Sequence, residues 1–148
     1  CLQSLANQTC SEFQILVVDN ASSDGSIEYM RENYPDIELI SLNQNYGFSA
    51  AVNVGIRHST TPYVLLLNND TTVAPEFVDE MIKAIEKSPK IFSVSSKMIQ
   101  MYHPGLIDSA GDMYTWLGIL PGRWIIHFQS SHRRYYIQCL RRSSYLPS

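Results

Sequence analysis

The stretch YVLLLNNDTTVAP, residues 63–75, places an unbroken apolar run directly before two amides, a carboxylate and a pair of hydroxyls. Uninterrupted Val and Leu are typical of a strand in a parallel sheet that is covered on both faces. The abrupt change at Asn68–Asp70 has two interpretations. Either a rigid strand delivers polar side chains to a ligand, or the chain makes an ordinary turn.

Three other apolar runs have the length of strands and alternate with helical patterns along the chain. These runs are Phe13–Asp19, Ile37–Leu42 and Ile91–Met98. The helical patterns repeat every three or four residues and consist of Ile27, Met30 and Tyr34, then Phe48, Ala51, Val52, Gly55 and Ile56, then Phe77, Val78, Met81, Ile82 and Ile85. Alternating strands and helices predict an α/β fold with an open, mostly parallel sheet flanked by helices, up to about Met98.

Length and composition bound the class of protein. The 148 residues suit one domain, and an apolar content of 45% is enough for a core. No run approaches the roughly 20 apolar residues of a membrane span. Three scattered cysteines are too few for a disulfide framework or a zinc site, so we expect a reducing, cytoplasmic location. The chain begins with Cys1 rather than Met, so we expect a piece of a longer protein.

Charge is distributed unevenly along the chain. All 14 acidic residues lie at or before Asp112, and the remaining 36 residues carry five Arg and no acid. The acidic body argues against nucleic acid as the main partner. The basic tail has three interpretations: a membrane-surface patch, a nucleic-acid patch, or sequence that does not belong to the domain.

Polar residues follow the first three predicted strands. Residues 19–25 read DNASSDG, residues 43–48 read NQNYGF, and residues 68–70 read NND. In an open parallel sheet, ligands bind outside the carboxyl ends of the strands. We therefore expect all three segments to meet at one rim of the sheet.

Each of these segments also has a purely structural interpretation. Asp19 is either an acceptor for an N–H group of a nucleotide base or part of helix-start chemistry with Ser22 or Ser23 as N-cap. Gly47 either permits a turn or brings backbone N–H groups near an anionic ligand. The chain contains neither Gly-x-Gly-x-x-Gly nor Gly-Lys-Ser/Thr, so a dinucleotide fold or a P-loop has no support.

Asp70 is a candidate metal ligand. Asn68 lies two positions earlier, and side chains two apart in an extended segment point the same way, so both could face one ion. Oxygen ligands suit Mg²⁺ or Mn²⁺, which would keep several waters and bind substrate phosphates. The alternative is that Asp70 is a turn residue.

Taken together, ILVVDNASSDGS, NQNYGFSAAVNVGI and YVLLLNNDTTVAPEF resemble the family 2 inverting glycosyltransferases of the GT-A fold. Within that family they are most similar to the rhamnosyltransferase-like branch that builds bacterial surface polysaccharides. The resemblance covers roughly Leu2 to Gly111 and continues through SSKMI and IDSAGDMY.

The resemblance implies a nucleotide-sugar donor, usually UDP or dTDP, and a glycan or lipid-linked glycan acceptor at the inner face of the cell membrane. Asp19 would accept from the base, and Asp70 would bind Mg²⁺ or Mn²⁺. Asn68 stands where the family has the first Asp of Asp-x-Asp, and Phe48 stands where many relatives have Arg. The implied donor-binding residues are Asp19, Asn20, Ser22, Asn45, Gly47, Asn68, Asn69 and Asp70.

Parts of the family pattern are missing. We expect residues 1–112 to be the donor-binding part of a GT-A domain without its first strand, and residues 113–148 to be a divergent basic tail, either out of frame or a truncated acceptor region. The family's general base is absent, with Asp108 and Asp112 the nearest candidates.

The alternative function is an inactive nucleotide-binding fragment, which an exposed sheet edge could destabilise. A phosphatase of the Asp-x-Asp-x-Thr type is excluded because Ala21 replaces the second Asp.

Overall fold

A computed structural model describes residues 1–109, 113–115, 118–120 and 138–141, with side chains through residue 107. The helices are Leu2–Ala6 (α1), Ser26–Asn33 (α2), Phe48–His58 (α3) and Phe77–Glu86 (α4). The strands are Leu16–Asp19 (β1), Glu38–Ser41 (β2), Tyr63–Leu66 (β3), Ser93–Ser95 (β4), Met98–Gln100 (β5), His103–Ser109 (β6), Met113–Thr115 (β7), Gly118–Leu120 (β8) and Gln138–Arg141 (β9). Two compact units divide the chain: Cys1–Thr9 with Leu65–Arg141, and a second unit built on Cys10–Val64.

The second unit contains the parallel strand pair that the sequence predicts. β1 and β2 run parallel, with Leu16 opposite Glu38 and Asp19 opposite Ser41. Helix α3 packs on β1, and a Cβ added at Gly55 would lie 3.4 Å from a methyl group of Val18. Gly55 therefore allows this helix to pack closely on β1.

The unit formed by Cys1–Thr9 and Leu65–Arg141 has its core around α4. Val78, Met81 and Ile85 are buried on this helix, and their spacing of three and four places them on one face. Leu5 of α1 and Val73 of the segment before α4 are buried as well. The clearest helical pattern of the sequence is confirmed, and its apolar stripe forms the core.

The predicted strand Ile91–Met98 is wrong as a single element. It forms two strands, β4 and β5, with Ser96 and Lys97 between them. β5 pairs antiparallel with β6, and Gln100 faces His103 across a two-residue connection. A connection this short pairs neighbouring strands as a hairpin, which needs no crossover helix.

The sheet pairings are mixed. β1–β2 is parallel, whereas β4–β9, β5–β6 and β7–β8 are antiparallel. β9 lies between β3 and β4 in the order β3-β9-β4. The α/β class is therefore confirmed, with a small parallel part, and β8 and β9 are elements in a region where the sequence pattern predicted none.

The start of α2 differs from the sequence prediction. Its N-cap is Gly25, with φ of +82°, rather than Ser22 or Ser23. The Asp24 carboxylate instead accepts hydrogen bonds from the backbone N–H and the hydroxyl of Ser26. These bonds hold the pKa of Asp24 below its usual value because they stabilise the charged form. The N-cap thus lies three residues after Ser22 and two after Ser23.

Candidate functional site

Asp19 ends β1, and its side chain is buried, with 9% of the residue exposed. Its Oδ2 accepts a hydrogen bond from the backbone N–H of Ser22 at 3.0 Å, which closes a turn. Within the described part of the chain, its Oδ1 accepts no hydrogen bond. Oδ1 is not among the buried atoms that lack a partner, so it is open to solvent and can accept from an N–H group of a ligand.

The loop that follows β1 has a strained backbone. Ala21 adopts φ of +64°, in the left-handed region that residues with a Cβ rarely enter. This conformation costs about 1–2 kcal/mol for a non-glycine residue, so other contacts must hold the loop in place. The turn closed by Asp19 is one such contact.

A cluster of amides joins this loop to the loop after β2. Asn20 Nδ2 donates to Asn45 Oδ1 at 2.9 Å, and Asn20 Oδ1 accepts from the backbone N–H of Tyr46 at 2.9 Å. Asn45 Oδ1 also accepts from the backbone N–H of Gly47 at 2.9 Å. We call these four residues, Asn20, Asn45, Tyr46 and Gly47, the amide clasp. The structure therefore brings together two of the three predicted strand ends.

Two backbone N–H groups of the amide clasp are occupied by hydrogen bonds within the clasp itself. The N–H groups of Tyr46 and Gly47 donate to side chains of the clasp, which differs from the expectation that N–H groups of this loop point at an anionic ligand. Gly47 has φ of +84° and ψ of 165°, a conformation found almost only in glycine, and it precedes α3 as N-cap. Gly47 is thus required for the backbone path from the clasp into the helix.

The third strand end is a turn rather than an extended segment. β3 ends at Leu66, and both the backbone N–H and the hydroxyl of Thr71 donate to the Asn68 carbonyl, at 3.3 and 2.7 Å. The predicted alignment of Asn68 and Asp70 along an extended segment is therefore wrong, because the chain reverses between them. Asn69 and Asp70 are exposed at the tip of this turn, and Asn68 is half-buried.

The donor set of this turn fits a hard divalent ion that is shared with a substrate. Within residues 1–107, for which side chains are described, no group of three His, Cys, Asp or Glu residues could hold a metal by itself. Mg²⁺ commonly binds through one or two carboxylates, several waters and the phosphates of a substrate. A single exposed carboxylate flanked by amide oxygens matches that mode and does not match a structural zinc site.

The remaining predicted residues stand as follows. Ser22 is exposed, and its backbone N–H donates to Asp19. The Asp108 side chain and all of Asp112 lie outside the described part of the structure. The convergence of the Asn68–Asp70 turn with the first two strand ends stays a prediction.

The structure also shows contacts that the sequence analysis missed. Ser4, Gln8 and Thr9 hydrogen-bond to the segment between the Asn68–Asp70 turn and α4 and to the first turn of α4. These partners are separated by 66 to 70 positions. No local pattern in a single sequence signals pairs so far apart, so these contacts could not have been found without coordinates.

With the fold and the two loop regions described, the comparisons define the class of protein. The model of "Glycosyl transferase family 2" matches residues 1–142. The chain therefore belongs to glycosyl transferase family 2. The match extends past Gly111, where the recognisable motifs end, and the predicted division of the chain at Asp112 stays a prediction.

Individual relatives are glycosyltransferases from bacteria. An uncharacterized glycosyltransferase of Haemophilus influenzae is 28% identical over 116 residues, 78% of this chain and 37% of the relative. The uncharacterized glycosyltransferase YibD of Escherichia coli is 34% identical over 85 residues, 55% of this chain and 24% of the relative. A poly-beta-1,6-N-acetyl-D-glucosamine synthase of Staphylococcus epidermidis is 29% identical over 96 residues, 64% of this chain and 23% of the relative.

A solved structure shows the same fold. The mannosyltransferase PcManGT from Pyrobaculum calidifontis, in complex with GDP-Man and Mn²⁺, superposes with a TM-score of 0.56 and 25% identity. The match covers 66% of this chain and 30% of that one. The GT-A fold predicted from the motifs is therefore confirmed. The chain spans between about a quarter and two-fifths of the length of the relatives named here.

Within residues 1–109 and the short described strands beyond them, no helix is long and apolar enough to cross a membrane.

Proposed function

We propose that this chain carries the donor-binding part of an inverting glycosyltransferase. The full reaction would transfer a sugar from a nucleoside diphosphate to a surface-polysaccharide acceptor, either a glycan or a lipid-linked glycan. The observation that carries the proposal is the buried Asp19 carboxylate, whose Oδ1 accepts no hydrogen bond from the described residues. It lies at the end of a β-strand in a chain that belongs to a glycosyltransferase family.

Asp19 is proposed to recognise the nucleotide base. Uracil and thymine each carry a ring N–H, and a carboxylate oxygen accepts such a group in a charge-assisted hydrogen bond. Guanine carries a ring N–H as well, so UDP, dTDP and GDP all meet this chemistry. The resemblance of the motifs favours UDP or dTDP as the carrier of the sugar. Asn20, Asn45 and Gly47 are proposed to act with it by fixing the loop, because their polar atoms are engaged in the amide clasp.

Asp70 is proposed to hold Mg²⁺ or Mn²⁺, with Asn68 and Asn69 beside it on the same turn. Its exposed position and the Mn²⁺ in the complex of the archaeal mannosyltransferase support this role. When bound, the ion would neutralise the charge that develops on the departing nucleoside diphosphate.

Inversion follows from a single displacement at the anomeric carbon. An acceptor hydroxyl attacks that carbon, the bond to the diphosphate oxygen breaks, and the hydroxyl proton passes to a general base. Asp108 and Asp112 are the carboxylates nearest in sequence for this task, and we assign the role to neither. The transferred sugar is proposed to be a hexose or a deoxyhexose, in keeping with the rhamnosyltransferase-like motifs.

A second candidate function is nucleotide binding without turnover. It is favoured by the sequence after Asp112, which contains no carboxylate side chain that could serve as the base.

The five Arg of that same segment favour peripheral association with anionic membrane lipids where the acceptor is lipid-linked.

Calorimetry beside a hydrolysis assay tests the proposal. UDP, dTDP and GDP are titrated into the chain with and without Mn²⁺, and the UDP- and dTDP-sugars are assayed for release of the nucleotide. Binding of UDP or dTDP with donor hydrolysis is the expected result, whereas binding without hydrolysis assigns the second candidate. Absence of binding for all three nucleotides would contradict both.

A further inference from the structure

The amino-terminal segment holds the segment between the Asp70 turn and α4 through side-chain hydrogen bonds. Gln8 Nε2 donates to the Ala74 carbonyl at 2.7 Å, and Gln8 Oε1 accepts from the backbone N–H of Val78 at 2.9 Å. The second hydrogen of the Gln8 amide is donated to the Ser4 carbonyl at 3.1 Å. Gln8 thus uses both of its N–H groups and its oxygen.

Two further residues extend this attachment. Ser4 Oγ accepts from the backbone N–H of Val73 at 3.2 Å. Thr9 Oγ1 donates to Asp79 Oδ2 at 2.7 Å, and the backbone N–H of Thr9 donates to the Pro75 carbonyl at 2.9 Å. We call Ser4, Gln8 and Thr9 the N-terminal clamp.

Gln8 replaces a missing helix cap. The N-cap of α4 is Glu76, whose side chain makes no capping hydrogen bond. The first N–H groups of a helix have no partner within the helix and are usually satisfied by a neighbouring Ser, Thr, Asp or Asn. Here the N–H of Val78 is satisfied by a side chain 70 positions away. The start of α4 is therefore fixed by a long-range contact.

The Asp70 turn lies between two anchors. On one side β3 ends at Leu66. On the other side Val73 is the first residue that the N-terminal clamp contacts, through Ser4. The six residues between the anchors include Asn68, Asp70 and Thr71, and the turn within them is closed by the hydrogen bonds of Thr71. A short segment fixed at both ends has few conformations, so moving one anchor changes the position of Asp70.

We propose that Gln8 is a positioning residue for the metal-binding turn, acting through Ala74 and Val78 to hold Asp70 where it binds the ion of the nucleoside diphosphate. This inference rests on the proposed function of Asp70. A ligand that is held in place before binding keeps more of its intrinsic affinity for the metal. Replacing Gln8 should therefore weaken the contribution of Mn²⁺ to nucleotide binding more than it weakens nucleotide binding itself.

The test compares Gln8→Ala with Gln3→Ala. Gln3 is an exposed residue of the same segment that makes no side-chain hydrogen bond in the described structure. UDP affinity is measured by calorimetry with and without Mn²⁺, well below the unfolding temperature of each variant. We expect Gln8→Ala to lower the gain in affinity that Mn²⁺ provides about 3- to 10-fold, since it removes two hydrogen bonds to the anchored segment. Gln3→Ala should keep the gain of the unmodified chain.

Hydrogen exchange of the backbone amides of residues 67–73 provides a readout without ligand. Gln8→Ala should exchange faster there than Gln3→Ala. If the gain in UDP affinity from Mn²⁺ is unchanged in Gln8→Ala, the proposal is overturned, even when hydrogen exchange is faster. The Gln8 contacts would then stabilise the structure without positioning Asp70. If the unmodified chain binds none of UDP, dTDP and GDP under any condition, the proposed function fails. Exchange then decides whether Gln8 holds the turn, and equal rates in the two variants overturn the inference.

A milder pair of variants covers the case in which Gln8→Ala does not fold. Thr9→Val removes the hydroxyl that donates to Asp79, and Thr9→Ser keeps it. Thr9→Val also removes the longer contact of this hydroxyl to the Pro75 carbonyl, at 3.3 Å. We expect Thr9→Val to lower the gain in UDP affinity from Mn²⁺ about 2- to 3-fold, and Thr9→Ser to restore it. Equal gains for Thr9→Val and Thr9→Ser would confine the positioning to Gln8. Gln8→Glu then tests Gln8 itself, because it keeps an acceptor for the Val78 N–H and loses the donor to the Ala74 carbonyl. An unchanged gain in UDP affinity from Mn²⁺ in Gln8→Glu would overturn the proposal.

Discussion

The two polar loop regions of this chain are held in different ways. The loop after β1 is fixed by the loop after β2 through the amide clasp, within one compact unit. The turn after β3 is closed by hydrogen bonds of Thr71. The segment after this turn is held by side-chain hydrogen bonds from residues 4–9, which are distant in sequence. Asp19, the carboxylate proposed to bind the base, thus lies in a loop fixed by its neighbours. Asp70, the carboxylate proposed to bind the metal, is exposed and precedes a segment that remote contacts hold. We therefore predict that mutations in the loop after β1 weaken UDP binding with and without Mn²⁺, whereas mutations at the turn after β3 weaken only the gain from Mn²⁺.

The largest effect is expected at Asp19, the carboxylate of the clasped region. Asp19→Ala removes the proposed acceptor for the base and the acceptor for the Ser22 N–H. We expect UDP binding to weaken at least about tenfold, because a hydrogen bond to a charged group contributes about 1.5–3 kcal/mol. The affinity should fall by a similar factor with and without Mn²⁺, as measured by calorimetry.

Asp19→Asn separates the two roles of this residue. Its carbonyl oxygen can still accept from the Ser22 N–H, so the free energy of unfolding should stay nearer to that of the unmodified chain than in Asp19→Ala. UDP binding should remain weak because the charge is gone. Full UDP affinity in Asp19→Asn would show that the charge of this carboxylate does not bind the base.

The next effect concerns the backbone of the amide clasp. Gly47→Ala should lower the free energy of unfolding by about 1–3 kcal/mol, because φ of +84° with ψ of 165° is strained for any residue with a Cβ. Crowding is not the reason, since nothing lies within 4 Å of an added Cβ at this position. Urea unfolding monitored by circular dichroism measures the change.

Gly105→Ala is the matched control for that variant. Gly105 has equal space around an added Cβ and does not have a positive φ. The substitution should leave the free energy of unfolding unchanged or raise it by about 0.4–1 kcal/mol. Equal losses at Gly47 and Gly105 would contradict the backbone explanation.

Removing the clasp side chain tests whether the two loops support each other. Asn20→Ala loses the hydrogen bonds to Asn45 and to the Tyr46 N–H, so we expect a loss of about 1 kcal/mol in the free energy of unfolding. UDP affinity should fall with and without Mn²⁺. The control is Asn53→Ala, at an exposed position of α3 that makes no side-chain hydrogen bond in the described structure. UDP affinity that falls equally in both variants would argue against a role of the clasp.

The smallest effect is expected at the turn after β3. Thr71→Val loses one side-chain hydrogen bond to the Asn68 carbonyl but keeps the backbone bond, so the free energy of unfolding should fall by about 0.5–1.5 kcal/mol. The gain in UDP affinity from Mn²⁺ should fall, with metal-free binding unchanged. Thr72→Val, at the adjacent exposed threonine, should change neither quantity. Loss of metal-free binding in Thr71→Val would remove the distinction between the two regions.

The parts of the fold that the sequence predicted are those with strong local patterns. β1, β2, α3 and α4 follow from apolar runs and from spacings of three and four, and the family follows from three motifs. The split of Ile91–Met98 into β4 and β5 did not follow from the sequence, because β5 pairs with β6 and this tertiary pairing overrides the local strand pattern. Tertiary pairing decides the ends of such strands.

The candidate site was predicted as a set of residues but not as a set of contacts. Asp19, Asn20, Asn45 and Gly47 were identified through their motifs, and two of the strand ends do meet. That Asn20 and Asn45 bond to each other could not be read from residue types, because an amide serves equally well as a ligand group or as a link between loops. Gln8 was missed for a different reason, since its partners lie 66 and 70 positions away.

The most direct test of the account is the Mn²⁺ dependence of UDP binding in Asp70→Asn. Calorimetry compares this variant with the unmodified chain and with Asp36→Asn, a control at an exposed carboxylate with no hydrogen bond or ion pair in the described structure. We predict that Mn²⁺ strengthens UDP binding in the unmodified chain and in Asp36→Asn. In Asp70→Asn that gain should be lost while metal-free binding remains. A full Mn²⁺ gain in Asp70→Asn would contradict the account.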